Sequence, residues 1–278
     1  MDPLLIAIAV LPVIVLSVYI YRQDKFGKEP IGMLIKAFIF GALSIIPAIV
    51  MESVLSAYTP VGMPVLQGAY TGFVVAGFSE EFCKLFMLWW AVWRSRHFDE
   101  YFDGIVYAAF VSLGFACFEN FSYVFGQETY ASALVTGSVR AVLSVPGHFL
   151  FGVTMGYYFA LAKFQPSNRF GNFLKALIVP ALLHGTFDAL LMIPENMGEG
   201  AGIIASVLFV VFVWFDIKLW KIATRRLRHL QELTAKQANS QSNYDNYNND
   251  QHHDDYDHSS QREPQLGGGK SLDQLNWD

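Results

Sequence analysis

Charge is what this sequence has least of. Only 15% of its 278 residues are Asp, Glu, Lys or Arg, against roughly 25% in a soluble domain. The stretches 4–20 and 203–215 contain none. Cysteine is scarcer still. The two cysteines, Cys83 and Cys117, both lie inside apolar segments, which excludes a disulfide scaffold and identifies no redox compartment. A basic surplus is also missing, and the formal net charge of −5 argues against a nucleic-acid partner. No basic segment precedes the first apolar run, since Asp2 is the only charge before Arg22; that run therefore reads as a retained helix rather than a signal peptide. What abounds is apolar surface: 53% of residues are hydrophobic and the mean hydropathy is +0.33. The expected environment is the lipid bilayer, and the expected class a polytopic membrane protein.

A span needs about 20 mostly apolar residues. Seven segments qualify: 3–21, 33–57, 67–93, 103–125, 139–162, 173–193 and 201–220. The expected fold is all-α, a bundle of about seven transmembrane helices. Basic residues orient it, because cytoplasmic loops carry the Lys/Arg excess. Fourteen lie in or beside alternate loops, from Arg22, Lys25, Lys28 and Lys36 to the cluster Lys218–Arg228, while the opposite side has only Arg140. This places the N-terminus outside and the C-terminus in the cytoplasm. Residues 1–228 read as the membrane domain. Residues 229–278, rich in Asn, Gln, Asp, Ser and Tyr, read as a disordered polar cytoplasmic tail whose His252, His253 and His258 are solvated. Trp89, Trp90 and Trp93 read as an interfacial belt.

Charges at bilayer depth are costly and face a bundle interior. Here they are Glu80, Glu81 and Lys84 in the third span, Glu119 (with Asn120) in the fourth, His148 in the fifth, and His184 and Asp188 in the sixth. Glu52, near the end of the second span, reads as reaching the interface. At 1.5 Å per residue, Glu80 is about 18 Å, Glu119 about 9 Å, and His148 and His184 each about 13 Å from the outer face. Spans running in opposite directions thus bring their polar groups to similar depths, as one cavity open to the outside requires. Two imidazoles and several carboxylates suit a divalent ion such as Zn2+, or general acid–base activation of water without metal. Lys84 stands i+4 from Glu80 and i+3 from Glu81, and can share a helix face with either. The alternatives are a structural ion pair for Lys84, packing roles for the histidines, and helix–helix hydrogen bonding for Asn120. Gly68 with Gly72, and Gly152 with Gly156, have the spacing of helix-packing motifs.

Four motifs occur in order: Glu80-Glu81-Phe82-Cys83-Lys84, Phe118-Glu119-Asn120, His148 with Gly152 four residues on, and His184 with Asp188 four residues on. In that order they resemble the PrsW family of intramembrane proteases over about residues 1–225. They are more distantly similar to the CAAX prenyl endopeptidase and bacteriocin-processing families. The resemblance implies a multi-pass prokaryotic plasma-membrane protein that hydrolyses a peptide bond of a single-span membrane protein. It implies a cut on the extracytoplasmic side, of the kind that begins anti-sigma-factor degradation. Glu80, Glu81, His148 and His184 are then the catalytic candidates, supported by Lys84, Glu119, Asn120 and Asp188. In a metal mechanism, His148, His184 and a carboxylate, taken here as Glu119 with Glu81 and Asp188 as alternatives, hold Zn2+ while Glu80 activates water. In a metal-free mechanism, Glu80 and His148 activate water and His184 helps to stabilise the oxyanion. The distant relatives often carry Asn where Asp188 stands, which leaves ligand, orienting group and oxyanion donor open for that position. The competing class is a proton- or cation-coupled transporter. It requires a polar path through the inner half, where this chain continues Leu-Phe-Met-Leu-Trp-Trp after Lys84.

Overall fold

The computed structural model describes the backbone of residues 2–260, entirely helices and connections, with no strand among the described residues. Asp2 opens the first helix, α1 (Pro3–Gln23), accepting from the Leu4 and Leu5 amides, with Pro3 in the first turn where its missing N–H costs nothing. The expected second span is two helices, α2 (Ile31–Leu43) and α3 (Ile45–Ser56), jointed at Ser44 three residues before Pro47. The expected third is helical from Pro64 to Val92: α4 (Pro64–Tyr70), a π-helical segment (Thr71–Phe78) and α5 (Ser79–Val92). There follow α6 (Asp103–Phe125), α7 (Tyr130–Val142), α8 (Ser144–Phe164), α9 (Arg169–Met197) and α10 (Gly202–Ser260).

Among the described residues, six helical stretches are long and apolar enough to cross a membrane: Pro3–Gln23, Ile31–Ser56, Asp103–Phe125, Tyr130–Phe164, Pro166–Met197 and Gly202–Tyr244. These correspond to six of the seven expected spans. The seventh, α4 to α5, is not among them, because it carries Glu80, Glu81 and Lys84 and is interrupted by the π segment. It contacts α9 along the π segment and α4, and α2, α3 and α6 along α5.

The break between α7 and α8 at Leu143 comes three residues before Pro146, which sits in the first turn of α8. A separate capped helix precedes it, with Thr129 and Ser132 forming the capping box of α7. The chain divides into two compact units, Met1–Ala235 and Lys236–Asp278. The first reaches past the expected boundary at residue 228, for a simple reason: Leu230 is buried, and the Thr234 hydroxyl accepts from the Phe102 amide at 3.0 Å. The expected disordered tail is helix as far as Ser260, and its last part, 261–278, lies outside the described residues.

Helix α6 is the centre of the first unit, buried along most of its length and packed on α1, α2 and α8. Small residues make this possible. A Cβ on Gly41 would lie 1.9 Å from the Val111 carbonyl oxygen, and one on Gly114 2.0 Å from that of Phe38. On the other side, Gly156 lies against the Gly104 carbonyl and Gly152 against Ser112, so the α8 glycine spacing is a packing motif. Outward-facing apolar residues such as Leu11, Val50 and Val210 present the surface a lipid phase requires. Of the three tryptophans expected as a belt, Trp89 and Trp90 are exposed, whereas Trp93 packs its ring against Phe98, Phe159 and Phe173.

The α2–α6 crossing yields a prediction. Gly114→Val drives a side chain into backbone that cannot move alone, at a cost of at least about 2 kcal/mol. Gly32→Ala, with nothing within 4 Å, leaves stability unchanged. Thermal unfolding of the two purified variants in detergent checks the difference.

Candidate active site

The π segment ends immediately before the acid pair. A π turn holds more residues than an α turn, so it rotates the helix beyond it, and such segments recur at functional sites. Its two glycines seat it against α9: a Cβ on Gly77 would lie 2.8 Å from the Ala181 oxygen, and one on Gly72 2.7 Å from the Ala189 nitrogen. Gly68, one turn earlier, meets Ile193 in the same way. This close approach sets α9, and with it His184, beside the start of α5.

There the first two turns of α5 turn three charges inward. Lys84 Nζ lies 3.0 Å from Glu80 Oε2 and 2.9 Å from Glu81 Oε1. It also lies 3.1 Å from His148 Nδ1 on α8 and sits over the Phe115 ring of α6. Lys84 and Glu81 are wholly buried, and Glu80 nearly so. Because an ammonium has only donors, Nδ1 of His148 accepts, and the imidazole carries its proton on Nε2. That Nε2 donates to Glu119 Oε2 at 2.7 Å. Glu119 is in turn bridged by Arg140 of α7 at 2.8 Å. His184 stands between two carboxylates, with Nδ1 3.0 Å from Glu81 Oε1 and Nε2 3.3 Å from Asp188 Oδ2. The His148 and His184 rings are 5.1 Å apart, and Phe151 stacks on His184.

All eight residues singled out from the sequence therefore meet in one network, Asn120 from its edge. Its amide donates to the Ala9 carbonyl and its oxygen accepts from Arg140 Nε, so it ties α1, α6 and α7 together. The residue not foreseen is Arg140. The sequence shows it only as the single basic residue on one face of the membrane, and that isolation is itself the signal. The break at Leu143 turns α7 so that Arg140 reaches Glu119. Glu52, expected at the interface, lines the cavity instead.

That cavity has a volume of about 530 Å³ and is walled by Glu52, Glu80, Glu119, His148, His184 and Asp188, among others. Glu80 faces it; Glu81 lies behind, held by Lys84 and His184. One donor atom from each of Glu80, Glu81, His148 and His184 lies within 4.8 Å of the others. Two imidazoles with carboxylates are a zinc-type donor set. Glu81 Oε2 is buried without a hydrogen-bond partner, as an atom awaiting a further ligand would be. These residues fit a metal ion. Glu119 stands at the other ring nitrogen of His148, paired with Arg140, and the carboxylates whose oxygens group with the two histidines are those of Glu80 and Glu81.

A buried, water-accessible cluster of this composition within apolar helices is that of a membrane-embedded metal-dependent hydrolase. A family model described as PrsW family intramembrane metalloprotease matches residues 29–215. The chain is 38% identical over 229 residues to Protease PrsW of Clostridioides difficile (strain 630), covering 80% of this chain and 90% of that one. It is 35% identical over 234 residues to Protease PrsW of Geobacillus kaustophilus (strain HTA426), covering 84% and 95% of the respective chains. To Protease PrsW of Bacillus subtilis (strain 168) it is 35% identical over 212 residues, 76% of this chain and 91% of that one. No solved structure matches it. The chain belongs to the PrsW family of intramembrane metalloproteases. It is a multi-pass prokaryotic membrane protein acting on a membrane-protein substrate in the bilayer.

Lys84 is the counter-charge for two buried carboxylates. Removing one member of a buried ion pair typically costs about 3–5 kcal/mol, because the partner charge stays buried. Lys84→Met is expected to lose stability on that scale, and Lys84→Met combined with Glu81→Gln to recover part of it. Unfolding of the single and double variants in detergent measures the coupling.

Proposed function

We propose that this protease cuts single-span membrane proteins of the anti-sigma-factor type on their extracytoplasmic side, with Glu80 as the general base. The observation that carries the reading is the asymmetry of the acid pair: Glu80 borders the cavity and Glu81 does not. The side of the cut follows from charge. Fourteen basic residues beside alternate loops orient the chain with its N-terminus outside, and the calculated depths of the polar groups lie in the outer half.

Glu81, His148 and His184 are the residues that would hold the metal, which leaves Glu80, the fourth donor of the cluster, to act on water. When bound, the ion polarises the scissile carbonyl and makes water easier to deprotonate. The identity proposed for it is zinc, on the mixed imidazole–carboxylate donor set. The chain's own groups do the rest. Glu80 takes the proton of the attacking water at its cavity-facing carboxylate and returns it to the leaving amine. Lys84 holds Glu81 charged and aligned behind it. Glu119 and Arg140 fix the His148 ring through Nε2, and Asp188 fixes His184 as an orienting partner. The apolar walls exclude bulk water and strengthen every charge inside.

Cleavage of co-expressed single-span proteins, anti-sigma factors included, tests the proposal at equal membrane abundance of enzyme. Glu80→Gln is expected to lower product by about 10²–10⁴-fold, the usual contribution of a general base, beyond any fall in unfolding temperature from losing one of the two carboxylates paired with Lys84. Asp188→Asn is expected to lose less, since the amide can still accept from His184. Treatment of the purified protein with a chelator should abolish cleavage, and zinc should restore it. Product termini mapping to the cytoplasmic flank of the substrate would refute the assigned side.

A further inference from the structure

The cavity in front of Glu80 has one wall that the hydrolytic groups do not use. From α3 it takes Ile45, Ile49 and Glu52, spaced i, i+4 and i+7, so one stripe of that helix faces inward. Glu52 is the only charge in α3. It stands four residues, about 6 Å, before the end of the helix at Ser56. It is half-buried, while Val50 and Val54 of the same helix face outward.

The other carboxylates on the cavity wall are each accounted for. Glu80 pairs with Lys84, Glu119 with Arg140 and His148, and Asp188 with His184. Glu195 is exposed at the far end of the wall. No hydrogen bond or ion pair engages the Glu52 carboxylate among the described residues. The charged groups whose fields reach it are those of the site itself, Glu119, Asp188, Lys84 and His184. An acceptor inside a membrane span with nothing to accept from is costly, and a donor entering the cavity removes that cost.

The shape of the cavity says what can bring the donor. Along α9 it runs from His184 to Glu195, eleven residues, or about 16 Å at 1.5 Å per residue. An extended peptide covers that length in about five residues. Between those ends the walls are mostly apolar, with Phe187, Leu191 and Met192 from α9 opposite no free cation, since Arg140 is taken by Glu119.

We propose that Glu52 is a specificity-determining residue of this protease, receiving a Lys or Arg side chain within about five residues of the scissile bond. The inference rests on the reading of this cavity as the place of hydrolysis. Lysine and arginine carry their charge at the end of an apolar stem. The stem can lie along Ile45 and Ile49 while the head meets the carboxylate. A neutral side chain leaves Glu52 unanswered, and an acidic one is repelled by Glu52 and Asp188 together.

The test uses the full chain, purified in detergent, and a single-span protein that the wild type cuts, its cut site mapped by mass spectrometry. Versions of this substrate carry Lys, Gln or Glu in turn at each position within about five residues of the cut. At one position the Lys version is expected to exceed the Gln version in kcat/KM by at least about tenfold, the scale of one close charge pair, with the difference in KM. In Glu52→Gln that ratio is expected to fall to about one, and in Glu52→Lys the Glu version is expected to become the preferred one. The unfolding temperature of Glu52→Gln is expected to equal or exceed that of the wild type, because the carboxylate has no partner to lose; a purely structural role would lower it. Glu80→Gln is expected to lower kcat for every version alike, and retained turnover there would count against the assigned base and not against Glu52. No position favouring Lys, or the same Lys-to-Gln ratio in the wild type and Glu52→Gln, would overturn the proposal.

Discussion

The structure depends on one buried ammonium. Lys84 Nζ touches Glu80, Glu81 and His148 at about hydrogen-bond distance inside an apolar bundle. Four ionisable groups in hydrocarbon surroundings are tolerable only when each answers another. Everything around Lys84 obeys that requirement. Two acids a turn before it supply the opposite charge. His148 presents the nitrogen that accepts, which commits its other nitrogen to Glu119. Glu119 then needs Arg140. The chain of pairs runs from the interior to the rim of the cavity, and each link sets the protonation and direction of the next.

Such a network needs helices that approach more closely than ordinary side chains allow. Glycine supplies the approach at each crossing that matters. Gly41 and Gly114 bring α2 onto α6, Gly152 and Gly156 bring α8 onto α6, and Gly72 and Gly77 bring the π segment onto α9. The last contact is the decisive one for chemistry, since it sets His184 against Glu81. In a membrane, apolar burial does not favour one helix pairing over another, so close backbone packing and polar links must choose it. The same residues that make the site therefore also select the arrangement of the bundle.

Charge is distributed along α6 with a consistent logic. At one end Glu119 belongs to an imidazole-rich cluster answered by Lys84 and Arg140. At the other, Asp103 accepts from the Asp99 and Glu100 amides and closes the α5–α6 connection. Placing about 24 Å of buried helix between them keeps the two electrostatic environments apart.

How much of this is legible in the sequence is a matter of length scale. Composition and the 20-residue criterion determined that the chain is a helical membrane protein, because an unpaired backbone in lipid leaves few other choices. The i,i+3 and i,i+4 spacings determined that Lys84 reaches Glu80 and Glu81, and that Asp188 reaches His184. Depth along each span determined that residues 80, 119, 148 and 184 share one layer. Those are properties of single helices or of their common lipid frame. Only the tertiary structure decided which way each helix is turned. The π segment cannot be read from Thr71–Phe78, and the joints at Ser44 and Leu143 are finer than any hydropathy window. From these came the inward turn of α5, the entry of Arg140, and the seating of His184 beside Glu81. Rotation about a helix axis depends on which neighbour each face meets, and a linear sequence carries that information only through all its contacts at once.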